Sequence, residues 1–206
     1  MSDKIDTIRD DLAFMKAVAS DDGRMPRLVG AHFLAAGLIF GLPLFPVWAT
    51  LRGFLDLPHG WTSWVSVWST IVYVPVAVWF SWKLRGAPKP AGPSARAFGA
   101  VWGGIGLTTL VILFVIFRAA WSLHVPLMWQ VWTAICFSLY GAAWLGVSIV
   151  RLDRRWALVA AGSYLTAIVN GLLIGGPDVL LGCAIGIILW LGLPGLVMLL
   201  SPRPVT

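Results

Sequence analysis

The sequence predicts an all-α, polytopic membrane protein with six transmembrane helices in three hairpins, preceded by a short cytoplasmic amphipathic helix. Three observations lead there. The chain is 59% hydrophobic and only 12% charged, with a mean hydropathy of +0.85, which is too apolar for a soluble domain. Six apolar runs follow one another: Leu28–Leu51, Trp61–Trp82, Phe98–Phe117, Met128–Val150, Trp156–Ile174 and Val179–Leu200. Each has 19 to 24 residues without Asp, Glu, Lys or Arg, the length that a hydrocarbon core of roughly 30 Å demands. The connecting segments alternate in charge. Thirteen Lys and Arg residues fall in the N-terminal tail, Lys83–Ala97, Arg151–Arg155 and the C-terminal tail, against two, Arg52 and Arg118, on the other side. Positive loops stay cytoplasmic, so both termini are expected there.

Residues 1–27 form the only long hydrophilic segment, with six aspartates and five basic residues. A cleavable signal peptide needs a basic stretch running directly into an apolar core, and this segment lacks that order. Ile5, Ile8, Leu12, Met15 and Ala19 recur at helical spacing, widened by Phe14 and Val18, which makes one apolar stripe. Such a helix either lies on the protein's own cytoplasmic face or docks a partner, with Ile5, Ile8, Leu12 and Met15 as the contact residues. Its net negative charge disfavours anionic lipid.

The run RDDLAFMKAVASDDGRMPRLVG, followed by an apolar span, resembles the opening of a group of uncharacterised small bacterial inner-membrane proteins. DLAFMK is its most specific part, and the hairpin layout of the rest is similar. The resemblance implies a multi-pass protein of the bacterial inner membrane. It carries no catalytic residues across.

After the first span the outer connections are short, so spans 1–2, 3–4 and 5–6 pair as antiparallel hairpins. Arg52 and Arg118 each close the odd span of a hairpin and precede a proline and a histidine, a faint repeat of about 66 residues. The third hairpin lacks both residues. Between spans 2 and 3, KLRGAPKPAGPSARA carries four basic residues, no acid and three prolines, a mixture that no helix crosses. Residues 201–206 form a cytoplasmic tail. Gly37–Gly41, Gly99–Gly103, Gly171–Gly175 and Gly182–Gly186 have the spacing that lets helices approach closely, chiefly within the bundle. Pro43, Pro46, Pro75 and Pro194 are expected to kink or interrupt spans 1, 2 and 6.

Chemistry-bearing residues are sparse. The net charge of +6 is spread over short loops, which excludes a phosphate-tracking groove and hence nucleic acid. Cys136 and Cys183 lie at different depths and lack metal-ligand spacing, so neither a disulfide nor a metal is expected. His32 is the one titratable side chain with a pKa near neutrality inside a span. It either snorkels or bonds a neighbouring carbonyl, or it has a proton or ligand role. Ser69, Thr70, Tyr73, Thr108, Thr109, Ser138 and Tyr164 lie near mid-depth. They serve packing, or line a cavity for a weakly polar solute or lipid, with Thr108, Thr109, Ser138, Tyr164 and His32 as its candidates. Arg52, Asp56, His59, Arg118, His124, Asn170 and Asp178 gather on the outer side as solvated loop residues and an Arg–Asp pair. Trp61, Trp64 and Trp68 form an interfacial aromatic belt. No catalytic motif or cofactor fingerprint occurs.

These observations favour a non-enzymatic accessory, scaffolding or regulatory subunit that meets the lipid bilayer and another membrane protein or a second copy of itself. A small transporter or channel for a weakly polar solute or lipid is the alternative.

Overall fold

In a computed structural model, the chain is described over residues 27–58, 60–86, 93–125 and 127–200. The proposed partner-docking residues Ile5, Ile8, Leu12 and Met15 lie outside these. The described residues are helical and contain no strand. The elements are α1 (Arg27–Gly41), α2 (Leu44–Leu51), α3 (Trp61–Gly86), α4 (Pro93–Leu123), α5 (Met128–Arg151), α6 (Arg154–Leu172), α7 (Asp178–Ile187), a π-helical turn over Ile188–Gly192, and α8 (Leu193–Leu200).

Among the described residues, four stretches are long and apolar enough to cross a membrane: Arg27–Leu51, Ala97–Leu123, Met128–Arg151 and Asp178–Leu200. Helix α3 has 26 residues but dilutes its apolar content with tryptophans and hydroxyls. Helix α6 has 19 residues and begins with two arginines. Composition, not helix length, sets these two apart.

The breaks follow from the sequence. Pro43 and Pro46 divide the first stretch. Pro43 sits at the N-cap of α2, and Pro46 lies in its first turn, where a missing N–H leaves no intrahelical bond unmade. Pro75 is carried inside α3 without ending it. Helices α3 and α4 stop and start at Gly86 and Pro93, so part of the predicted basic loop is helical. Helix α4 also runs past Phe117 to Leu123, placing Arg118 within it rather than in a loop. Its 31 residues span about 46 Å at 1.5 Å per residue. Helices α5 and α6 join through Leu152, in the left-handed conformation at φ 52°, and Asp153, whose carboxylate caps α6 by accepting from the Arg155 N–H.

Packing centres on the first and last stretches. Helix α1 lies along α8, and α2 along α7. Glycines make this seam: Gly37 meets Gly192, Gly41 meets Ile188, and a Cβ on Gly30 would come within 2.7 Å of the Gly195 carbonyl oxygen. Helix α6 completes this half by packing on α5 and α7, while α3 rests on α1 and α2. Gly182 and Gly186 face Asn170 and Phe137, so two of the four predicted close-packing pairs work inside the chain. Gly99–Gly103 does not. A Cβ on Gly99, Gly103, Gly104 or Gly106 would meet nothing within 4 Å among the described residues. Gly171 is equally open, and Gly175 is a turn residue at φ 97°.

Helix α4 is accordingly the least enclosed of the four apolar stretches. Only 6% of its most apolar window is buried, against 44% for the last stretch. Its principal contact is α5.

Gly195→Ala drives a methyl into the backbone of α1 and is expected to cost about 1–3 kcal/mol. Gly103→Ala should be neutral, or stabilising by up to about 1 kcal/mol through helix propensity. Thermal unfolding of the two variants in detergent checks the contrast.

Candidate functional site

The interior is built around Trp144, which is wholly buried. Its ring stacks on Trp156 at 5.0 Å and 9°, meets Trp102 edge-on at 4.9 Å, and lies 5.7 Å from Phe33. Phe98 and Tyr140 extend the cluster through Trp102. Such offset and edge-on pairs add stabilisation beyond the area they bury.

The indole N–H of Trp144 donates to the Trp190 carbonyl at 2.9 Å, for a reason legible in the backbone. In a regular α-helix that carbonyl would accept from residue 194, but residue 194 is proline and has no N–H. The helix relaxes into a π turn, in which the Leu193 N–H reaches back to the Ile188 carbonyl. Trp144 supplies the donor that the proline removed. The Trp190 side chain is anchored in turn: its indole donates to Thr166 Oγ1 at 2.7 Å. Its ring occupies the space where a Gly162 side chain would stand.

His32 and Tyr73 share a hydrogen bond of 2.9 Å through Nε2 and Oη, which ties α1 to α3. Phe33, Phe80 and Tyr73 surround the imidazole at 5.4 to 6.2 Å, and its buried Nδ1 has no partner among the described residues. The Nε2 partner is a tyrosine hydroxyl rather than the backbone carbonyl expected. No carboxylate faces it among the contacts described.

The remaining mid-depth candidates point elsewhere. Thr108, Ser138 and Tyr164 occupy exposed positions on α4, α5 and α6. Ser138 bonds back to the Ala134 carbonyl at 2.9 Å, and the Tyr164 ring lies against Gly141. Thr109 is half-buried, and its enclosed hydroxyl has no partner among the described residues. Thr108, Ser138 and Tyr164 thus stand on the bundle surface, on three different helices.

Asn170 corrects its sequence assignment. Expected among solvated outer loop residues, it is fully buried. Both atoms of its amide lack a partner among the described residues, and the amide oxygen is aimed at the backbone of Gly182. It lies within the predicted span Trp156–Ile174, and its helix face there turns toward Gly182 rather than outward. A Cα–H···O contact from a close-packed glycine is the interaction such an approach permits.

At the same end the expected Arg–Asp pair is present. Arg52 Nε donates to Asp178 Oδ1 at 2.9 Å, with a second contact between Nη2 and Oδ2. The Trp48 indole donates to the same Oδ1 at 3.0 Å. The pair pins the end of α2 to the start of α7, and Asp178 raises the Arg52 pKa by accepting its hydrogen bonds. Arg118, by contrast, bonds Ser122 within its own helix, so the two arginines of the faint repeat do different things. Gln130 Oε1 accepts the Gly175 N–H at 2.6 Å and joins α5 to the turn before α7.

Cys136 and Cys183 are free thiols, and no group of three or more His, Cys, Asp or Glu side chains converges among the described residues. No family model, curated protein or solved structure matches the chain.

Trp144→Phe keeps a ring but orphans the Trp190 carbonyl, and is expected to cost about 1–3 kcal/mol. In a Pro194→Ala background the restored N–H can take over, so the penalty should shrink by about 1 kcal/mol. Equal penalties in both backgrounds, measured by thermal unfolding, would separate the tryptophan from the proline.

Proposed function

We propose that the chain is a non-enzymatic subunit of a bacterial inner-membrane assembly that docks and scaffolds a partner helix within the bilayer. In this reading it has six spans in three hairpins, with both termini cytoplasmic. The observation that carries it is the contrast between the two halves of the molecule. One half closes on itself through glycine seams and buried tryptophans. Helix α4 rests mainly on α5 and leaves Gly99, Gly103 and Gly106 open along one side. In lipid, apolar surface alone drives no association, so close backbone approach at small residues is what holds helices together. The bundle uses that device for its own closure and leaves it unused on α4.

The occupant is another membrane protein or a second copy of this chain. The apolar stripe of Ile5, Ile8, Leu12 and Met15 would add a cytoplasmic contact to the same partner. The alternative, a small transporter or channel using Thr108, Thr109, Ser138, Tyr164 and His32, draws less support, because three of the five occupy exposed positions and His32 is bonded to Tyr73.

Two experiments test the proposal. Reporter fusions after Asp56, Ala91, His124, Asp153 and Asp178 should alternate out, in, out, in, out. Two consecutive fusions on one side would overturn the topology. In gentle detergent extracts, Gly99→Leu with Gly103→Leu should abolish co-purification of the partner or dimer while the helical signal and monomer size persist. Unchanged co-purification would sink the docking role of α4.

A further inference from the structure

Helix α3 carries its tryptophans in two sets. Trp61 and Trp64 stand at one end, with Trp68 one turn further in, and Trp79 and Trp82 stand near the other. Trp61 and Trp79 are 18 residues apart, and so are Trp64 and Trp82. At 3.6 residues per turn that interval is five full turns, so the members of each pair share one side of the helix, about 27 Å apart. All four are exposed, from 50% for Trp79 to 67% for Trp82. Between the two sets the same side carries Ile71, Val72 and Pro75, also exposed. Tyr73 and Phe80 lie on the opposite side, against His32 of α1. Helix α3 has no acid, and its basic residues, Lys83 and Arg85, fall in its last turn. The Lys83 ammonium lies 5.8 and 6.0 Å from the centres of the Trp79 and Trp82 rings, within reach of a cation–π attraction.

Two tryptophan sets about 27 Å apart match the two faces of a hydrocarbon core of roughly 30 Å, the levels at which such amphipathic rings concentrate. The positive charge beside one set complements the anionic lipid of the cytoplasmic leaflet. The neighbour agrees in depth, because α3 rests along α1 and α2, which together make the membrane-capable stretch Arg27–Leu51. We infer that the outward side of α3 is a lipid-binding surface, anchored at one head-group level by Trp61 and Trp64 and at the other by Trp79 and Trp82. Phospholipid, not a partner helix, covers it. Side-chain size decides between the two. Helix α3 has no glycine before its last residue, and bulky apolar surface drives no association in lipid without small residues that let backbones approach. The two exposed helices therefore face different partners. Lipid head groups hold α3 at its depth, although composition alone leaves it out of the most apolar stretches. The inference rests on the six-span reading for the direction of α3 and goes beyond it in assigning what covers the helix.

The test uses the full chain with Cys136→Ala and Cys183→Ala, reconstituted in vesicles of phosphatidylcholine and phosphatidylglycerol. A spin label is placed at one new cysteine, Trp61→Cys, Ile71→Cys or Trp82→Cys. Collisions with oxygen report hydrocarbon, and collisions with a water-soluble nickel chelate report water. The label at Ile71 should be mobile and open to oxygen. Its nickel collisions should be at least about tenfold fewer than at Trp61 or Trp82, because polar reagents are excluded from hydrocarbon. Val72→Cys replaces Ile71→Cys if helicity falls. An immobile label at Ile71, shielded from both reagents, would show that protein covers this side and would overturn the inference. So would nickel collisions as frequent at Ile71 as at the two ends. Reporter fusions after Asp56 and Ala91 keep the two readings apart. Fusions on opposite sides with a shielded Ile71 would remove this inference alone, whereas fusions on one side would remove the six-span reading with it.

Discussion

A backbone carbonyl inside lipid must find a donor, and the bundle depends on how one of them does. Pro194 deprives the Trp190 carbonyl of its helical partner. The Trp144 indole fills the gap from another helix. That bond fixes the rotation of α5 against the last stretch. The stacking of Trp156 and the edge-on contact of Trp102 then build outward from a ring whose orientation is already set. A local defect in one helix has become the reference point for the packing of four.

Polar contacts elsewhere follow the same economy. His32 with Tyr73 joins α1 to α3, Trp190 with Thr166 joins the π turn to α6, and Arg52 with Asp178 joins α2 to α7. Each is a single link between elements distant in sequence, placed where glycines already bring backbones together or where an outer end needs closing. In surroundings as apolar as the helices themselves, such links specify which faces meet.

Much of the architecture was legible because hydropathy and charge are summed over long windows. The all-helical class, the apolar stretches and the break at Pro43 emerge from composition and from proline chemistry. The Arg–Asp pair was legible too, as two opposite charges at one end. Individual placements were not. Asn170 reads as an outer-end residue near Gly171 and Gly175, yet it lies inside the apolar run Trp156–Ile174, and only the position of Gly182 opposite it decides its burial. The Gly99–Gly103 spacing is identical to that of Gly37–Gly41, but spacing does not reveal whether another helix is opposite. The link between Trp144 and Trp190 had one readable half: a proline four residues after Trp190 announces an orphan carbonyl. Which of thirteen tryptophans would answer it depends on tertiary contacts.

The π turn also changes how the last stretch counts its residues. Before it, Val179, Cys183 and Gly186 face inward at ordinary helical intervals; after it, Leu191, Gly195 and Met198 do. The step from Gly186 to Leu191 is five residues, one more than a full α-helical turn, because a π turn holds one residue beyond the regular count. Loss of a single residue between Ile188 and Gly192 would therefore leave both inward faces in register, whereas the same deletion elsewhere in α7 or α8 would rotate half of the span by about 100° away from its partners. The least regular point of this helix is also where Trp190 and Gly192 make their contacts, so the extra residue is held in place by packing on both sides.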